Sequence, residues 1–147
     1  MLRAYETTMT ASLLLGVPSN VTGLLGRAED IVAPKYIRRA VDFMRASLQA
    51  DVVLEDIAQA SGCSPRNLQL TFRRLVGSTP MRHLRTLRLE EARRRLGTQS
   101  ASLASIATSL GYTNLGRFAR DYRIMFGEAP SRSLRALRAA AKDLAKD

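Results

Sequence analysis

Apolar positions recur at helical spacing along most of this chain, without the strict alternation that is typical of a half-buried strand. Ile37, Val41, Met44 and Leu48 follow one another at i, i+4, i+7 and i+11, which marks one face of an amphipathic helix. Pro34 suits the first position of that helix. Similar stripes continue to the end of the chain, and together they predict an all-α fold of about seven helices.

Helix starts and stops can be placed by residue chemistry. Gly62 is expected to end a helix over 54–61 in the left-handed conformation. Ser64 and Pro65 suit the N-cap and first position of a helix that runs to Val76. Further helices are predicted over 103–110, with Ser102 as N-cap, and from Asn114 to Phe126. A last helix begins at Pro130 and should face inward with Leu134, Leu137, Ala141 and Leu144.

The longest helical pattern, over 80–96, carries two apolar stripes instead of one. Met81, Leu84 and Leu87 fall on one side at about 100° per residue. Leu89, Ala92 and Leu96 fall on another side. A helix that packs against two separate bodies has this pattern, so we interpret 80–96 as a linker between them.

The two bodies are related in sequence. Residues 54–65 (LEDIAQASGCSP) resemble residues 103–114 (LASIATSLGYTN) at an offset of 49, and the similarity resumes at an offset of 50 after one added residue in the second turn. Each copy reads as a helix, a turn ending in a glycine, and a second helix. Such internal repetition predicts two helix-turn-helix units on one chain.

The net charge of the chain suggests a class of binding partner. The chain has a formal net charge of +10, and its 23 basic residues include 20 arginines. Residues 34–147 hold 21 basic and 10 acidic residues, a net charge of +11, whereas residues 1–33 hold 2 and 3. A basic domain is typical of nucleic-acid binding. A charged, solvated surface and an anionic membrane surface are the alternatives.

The second helix of each unit has an apolar face and a polar face. The residues expected to point inward are Leu68, Phe72 and Leu75 in the first unit, and Phe118, Tyr122 and Met125 in the second. The opposite faces carry arginine and amide side chains, which can bridge the edges of guanine and adenine in the major groove. Arg82, Arg85, Arg123 and Arg132 are better suited to phosphate contacts or surface charge. Leu70 cannot hydrogen-bond, but it could pack on a thymine methyl group.

The sequence contains few of the residues that usually carry out catalysis. His83 is the single histidine and Cys63 the single cysteine, so we expect no enzyme, no metal site and no cofactor. His83 is expected on the surface, and Cys63 half-buried in a turn. One cysteine forms no internal disulfide, which fits a reducing cytoplasm. No segment approaches the roughly 18 apolar residues of a membrane span. Residues 1–33, with the apolar run from Ala11 to Val17, are too short for a core of their own.

The stretch GYTNLGRFARDYRIMFGEAPS, from Gly111 to Ser131, resembles the signature of the AraC/XylS transcription regulators, in particular the XylS-like branch. LEDIAQASGCSPRNLQ and the R-L-E-E-A-R segment at 88–93 resemble the first subdomain of the same family. The resemblance implies a DNA-binding domain over 34–142, with subdomains at 34–79 and 102–142 joined by the linker helix 80–96. Residues 1–33 would then be a linker or the remnant of an effector domain, either in a fragment or in a natural short form.

The resemblance also implies roles for residues. Base contacts fall to Arg66, Asn67, Gln69 and Leu70 in the first unit, and to Asn114, Leu115, Gly116, Arg117 and Arg120 in the second. Contacts to the DNA backbone are expected from Arg73, Arg74, Arg82, Arg123 and Arg132. The implied protein is a sequence-specific regulator of transcription in the bacterial nucleoid. It would be an activator that works beside RNA polymerase, with a monomeric domain that inserts two recognition helices into successive major grooves of double-stranded DNA.

Two other readings remain open at this point. A non-specific architectural or RNA-binding protein would share the charge without needing two matched helices. A partner-binding helical module would use the apolar segment Leu13 to Leu15 for docking.

Overall fold

The computed structural model describes residues 33–98 and 100–144, and this part of the chain forms seven α-helices without a strand. Residues 1–32, to which the effector-remnant and docking predictions apply, lie outside the described residues. The helices are α1 (Lys35–Ala46), α2 (Leu54–Ser61), α3 (Pro65–Val76), α4 (Pro80–Thr98), α5 (Leu103–Ser109), α6 (Leu115–Phe126) and α7 (Pro130–Leu144). The predicted all-α fold, with two helix-turn-helix units joined by a long helix, is confirmed.

Two hydrophobic cores lie at the two ends of α4. The first contains Ile37, Met44, Ile57, Leu68 and Phe72, together with Leu84 and Leu87 of α4. The second contains Ile106, Leu110, Phe118 and Tyr122, together with Leu89, Ala92 and Leu96 of α4. The two stripes of α4 therefore serve two cores, as the sequence pattern predicted. Leu48, in the loop between α1 and α2, packs against both cores.

The predicted helix boundaries are confirmed where a side chain caps the backbone. The hydroxyl of Ser64 accepts a hydrogen bond from the Asn67 amide at 3.2 Å, and that of Ser102 accepts one from Ser105 at 3.1 Å. Gly62 has φ +78°, the left-handed region that suits a glycine after a helix. At the start of α2, Val53 has no capping side chain, and its amide instead donates to the Asp56 carboxylate at 2.9 Å.

The expectation that His83 lies on the surface is wrong. Only 2% of His83 is exposed, and its ring lies 5.4 Å from that of Phe72. The reason is the helical repeat, which places His83 on the same side of α4 as Leu84 and Leu87. Burial, with a smaller effect from Arg45, lowers the pKa of His83 to about 4.

Three apolar residues predicted to point inward are instead exposed. Leu75 is 49% exposed, because Val76 occupies the position i+4 from Phe72 and packs on the first core in its place. Ala141 and Leu144 are exposed because α7 continues past the second core after Leu134 and Leu137, which do pack against it. The linker helix also ends later than predicted, at Thr98.

Candidate nucleic-acid interface

Helix α3 is fixed through its apolar face, which leaves its polar face free. Leu68 and Phe72 are fully buried in the first core. The Thr71 hydroxyl lies 3.0 Å from the Tyr36 hydroxyl of α1 and 3.5 Å from the side-chain oxygen of Asn67. The opposite face exposes all the predicted DNA contacts of this helix: Arg66, Asn67, Gln69, Leu70, Arg73 and Arg74.

Helix α6 repeats this arrangement in the second unit. Phe118 and Tyr122 are buried, and Phe118 makes an edge-to-face contact with Tyr112 at 5.2 Å. The predicted contacts on the other face are all exposed: Asn114, Leu115, Gly116, Arg117, Arg120 and Arg123. A shallow hollow of about 690 Å³ is lined by four of them, Asn114, Gly116, Arg117 and Arg120, and by Asp121. The hollow leaves room for a ligand edge beside Gly116.

A second hollow lies between α4, the end of α3 and part of α6. Its volume is about 660 Å³, and its floor is formed by residues of α4 that include Arg82, Arg85 and Leu89. One wall is the end of α3 with the turn that follows it, from Val76 to Thr79, and the other is α6 at Asp121, Ile124 and Met125. The end of α3 and part of α6 therefore lie beside one depression whose α4 lining carries two arginines, Arg82 and Arg85.

Most arginines of this surface make no side-chain bond to another residue that the structure describes. Within 33–98 and 100–144, no side-chain hydrogen bond or ion pair is made by Arg66, Arg73, Arg74, Arg82, Arg117, Arg120 or Arg123. Arg132 makes a long ion pair of 4.0 Å with Glu128, and its side chain remains 78% exposed. Exposed, unpaired guanidinium groups suit phosphate and guanine, which they contact with two parallel hydrogen bonds.

One acidic residue lies at the centre of the interface. The Asp121 carboxylate lies 3.9 Å from the Arg85 guanidinium, which joins α6 to α4. Asp121 would repel a nearby phosphate, and the positive charge of Arg85 offsets that repulsion. Arg85 was expected to be a phosphate contact or surface charge, and in the structure it also connects the two units.

Several arginines have structural roles that sequence reasoning missed. Arg93 lies over the Phe126 ring, with its guanidinium carbon 4.6 Å from the ring centre. Arg94 and Arg95 both donate to the Glu91 carboxylate at 2.7 Å, and these bonds lower the pKa of Glu91 to about 2. Arg95 also donates to the Ser109 hydroxyl of α5 at 3.0 Å. The spacing of Glu91 from Arg94 and Arg95, at i+3 and i+4, was the signal for these pairs.

Metal-binding side chains do not form a cluster in the part of the chain that the structure describes. Among the described residues, no group of three or more histidine, cysteine, aspartate or glutamate side chains could hold a metal ion. Cys63 is half-buried, as predicted, with its sulfur 3.2 Å from the Ser61 hydroxyl. No described helix is both long and apolar enough to cross a bilayer.

Comparison with known proteins places this arrangement in a family. A helix-turn-helix domain model matches residues 57–136. The XylDLEGF operon transcriptional activator 2 of Pseudomonas putida is 33% identical over 133 residues, which is 88% of this chain and 82% of that protein. A longer XylDLEGF operon transcriptional activator of the same organism is 40% identical over 100 residues, 66% of this chain and 31% of that protein.

Solved structures that are similar to this chain also include transcriptional regulators. A probable AraC family transcriptional regulator from Rhodopseudomonas palustris is 33% identical with a TM-score of 0.66, covering 71% of this chain and 98% of that one. The DNA-binding domain of AdpA, a global transcriptional factor solved in complex with a target DNA, is 26% identical with a TM-score of 0.66, covering 73% and 96%. The chain spans about a third of several curated relatives, 31% and 32% of their lengths. It belongs to the AraC/XylS family of helix-turn-helix transcriptional regulators.

Proposed function

We propose that this chain binds double-stranded DNA with α3 and α6 in successive major grooves, about one helical turn or 10 bp apart. The observation that supports the proposal is that α3 and α6, the second helices of two similar units, each bury an apolar face and expose arginines on the opposite face. The end of α3 and part of α6 also line one hollow together with α4. Two such helices could reach neighbouring grooves of one duplex without facing apart. The arginines on the floor of the hollow would lie over the phosphates between the grooves.

We assign the proposed roles by how far each side chain could reach into a groove of the DNA. Residues near the start of each recognition helix would contact bases: Arg66, Asn67, Gln69 and Leu70 on α3, then Asn114, Leu115, Gly116, Arg117 and Arg120 at α6. Residues farther along these helices, on α4 and on α7 would contact the DNA backbone: Arg73, Arg74, Arg82, Arg123 and Arg132. Leu70 and Leu115, which are 59% and 48% exposed, would pack on thymine methyl groups.

The biological role would be regulation without catalysis. We infer that the domain acts as a monomer over 34–142, with subdomains at 34–79 and 102–142 around the linker 80–96. It would activate transcription beside RNA polymerase in the bacterial nucleoid, within the cytoplasm. Support for activation comes from relatives that are named as transcriptional activators.

Selection of bound duplexes from a random library tests sequence specificity. We expect one asymmetric motif with two conserved blocks whose centres lie about 10 bp apart. Binding that is uniform across sequences, or that unrelated RNA removes as efficiently as the selected duplex, would contradict the proposal and favour a non-specific nucleic-acid binder.

A further inference from the structure

Arg88, near the middle of α4, connects parts of the molecule that are far apart in sequence. Its Nε donates to the carbonyl oxygen of Leu48 at 3.0 Å, and one Nη donates to that of Ala50 at 2.6 Å. Both acceptors lie in the loop between α1 and α2, about forty residues earlier in the chain. Leu48 is also the residue that packs against both cores.

The same guanidinium group lies against the turn of the second helix-turn-helix unit. Gly111, between α5 and α6, has φ +80°. A Cβ atom at Gly111 would lie 3.0 Å from one Arg88 Nη and 3.3 Å from its Cζ. The glycine therefore allows the guanidinium to approach the backbone of the turn that leads into α6.

Within residues 33–98 and 100–144, few other polar side-chain contacts join the two units across this boundary. The ion pair of Arg85 with Asp121 is long, at 3.9 Å, and the Arg85 side chain is 47% exposed. Such pairs contribute little to stability. Arg88, in contrast, is partly buried and uses its rigid fork to contact two carbonyl oxygens at once. A lysine, with one small ammonium group, lacks that geometry.

We propose that Arg88 is a positioning residue that fixes the second unit relative to the first, and thereby sets the spacing of DNA half-sites that the protein accepts. This inference rests on the proposed function, because it assumes that α3 and α6 each read one half-site. Arg88, on α4, donates hydrogen bonds to the α1–α2 loop of the first unit, and its guanidinium lies close to Gly111 in the turn before α6. Loss of this contact would let the two recognition helices change their separation.

The test is a spacing profile measured with the whole 147-residue chain. Affinity is measured for duplexes that carry both selected half-sites at the preferred spacing and with one or two base pairs added or removed, and for duplexes with one half-site. Arg88→Met should weaken binding roughly three- to tenfold at the preferred spacing. It should leave binding to a single half-site unchanged and reduce the discrimination against altered spacings.

Arg94→Met is the matched control, because it removes the same charge from the same helix at an exposed residue that pairs with Glu91. It should keep the spacing profile of the parent. Gly111→Asn disturbs the same contact without changing Arg88. Asparagine tolerates positive φ, but its Cβ would displace the guanidinium group of Arg88. Gly111→Asn should also flatten the profile, and it keeps the test decisive if Arg88→Met fails to fold.

The outcomes separate the inference from the proposed function. An unchanged profile in Arg88→Met or Gly111→Asn, or an equal loss of affinity at every spacing and on single half-sites, would overturn the role of Arg88. A parent protein that shows no preferred spacing would overturn the proposed two-groove mode itself.

Discussion

Asn114 and Arg117, both predicted to contact bases, are hydrogen-bonded to each other. The side-chain oxygen of Asn114 accepts from the backbone amide of Arg117 at 2.9 Å, which makes Asn114 the N-cap of α6. One lone pair of the oxygen is therefore engaged within the protein, whereas the amide nitrogen of Asn114 remains free to donate to DNA. A Cβ at Gly116 would lie 3.2 Å from the same oxygen, so the local geometry also favours glycine there.

The two roles of Asn114 can be separated by substitution. Asn114→Ala should lower the free energy of unfolding by about 1 kcal/mol, because α6 loses its cap. Asn114→Ser retains a capping oxygen and should keep the stability of the parent, yet it should bind DNA as weakly as Asn114→Ala because both lack the amide. Urea denaturation and gel-shift titration provide the two measurements. Full DNA affinity in Asn114→Ser would show that Asn114 serves only as a cap.

Arg120 is expected to read one base of the second half-site. Arg120→Ala should cost about 1–3 kcal/mol in binding the selected duplex and relax the preference at one position. Arg66→Ala should act in the same way in the first half-site. Arg38→Ala, at an exposed arginine of α1 outside both helix-turn-helix units, is the control and should leave the selected motif intact. A uniform loss of affinity across all sequences in Arg120→Ala would reassign this residue to the DNA backbone.

Arg82 is expected to contact a phosphate from the floor of the hollow between α3, α4 and α6. Arg82→Ala should weaken binding to specific and random duplexes by the same factor. The slope of log K against log salt should become shallower by about 0.9. Titrations between low and moderate salt measure both effects. An unchanged salt slope would exclude a phosphate contact at this residue.

The buried His83 should make stability depend on pH. Its pKa is lowered to about 4 in the folded protein, so between pH 6.5 and about 4 the unfolded chain binds a proton that the folded protein does not. The free energy of unfolding should therefore fall as the pH is lowered from 6.5, by up to about 3 kcal/mol near pH 4.

His83→Gln removes this titration and should flatten the dependence of stability on pH between 5 and 6.5. The pKa of Glu91 falls from an ordinary value of 4.5 to about 2 in the folded protein, so its effect on stability develops mainly below pH 4.5 and is common to parent and variant. Urea midpoints across the range measure the effect. An equal slope of stability against pH in parent and variant would show that His83 does not control this pH dependence.

Local signals in the sequence predicted most of the fold. The caps at Ser64 and Ser102 depend on hydrogen bonds three residues away, and the two stripes of α4 reflect helical periodicity alone. Both are visible in a short window of sequence. The exposed arginine faces of α3 and α6 followed from the same periodicity once the apolar sides were assigned.

Long-range contacts were beyond that reasoning. The acceptors of Arg88 lie in a loop that precedes it by 40 and 38 residues, and Arg93 meets Phe126 of another helix. Counting arginines as one basic surface therefore overstated the number available to DNA. His83 was misassigned because its polarity was weighed before its position beside Leu84 and Leu87.

Hydroxyl-radical footprinting of the selected duplex tests the central claim most directly, namely that α3 and α6 occupy successive major grooves. We expect two protected segments on one face of the DNA, with centres about 10 bp apart. Arg66→Ala should weaken protection in one segment, and Arg120→Ala in the other. A single protected segment, or two segments that both variants weaken equally, would contradict the account.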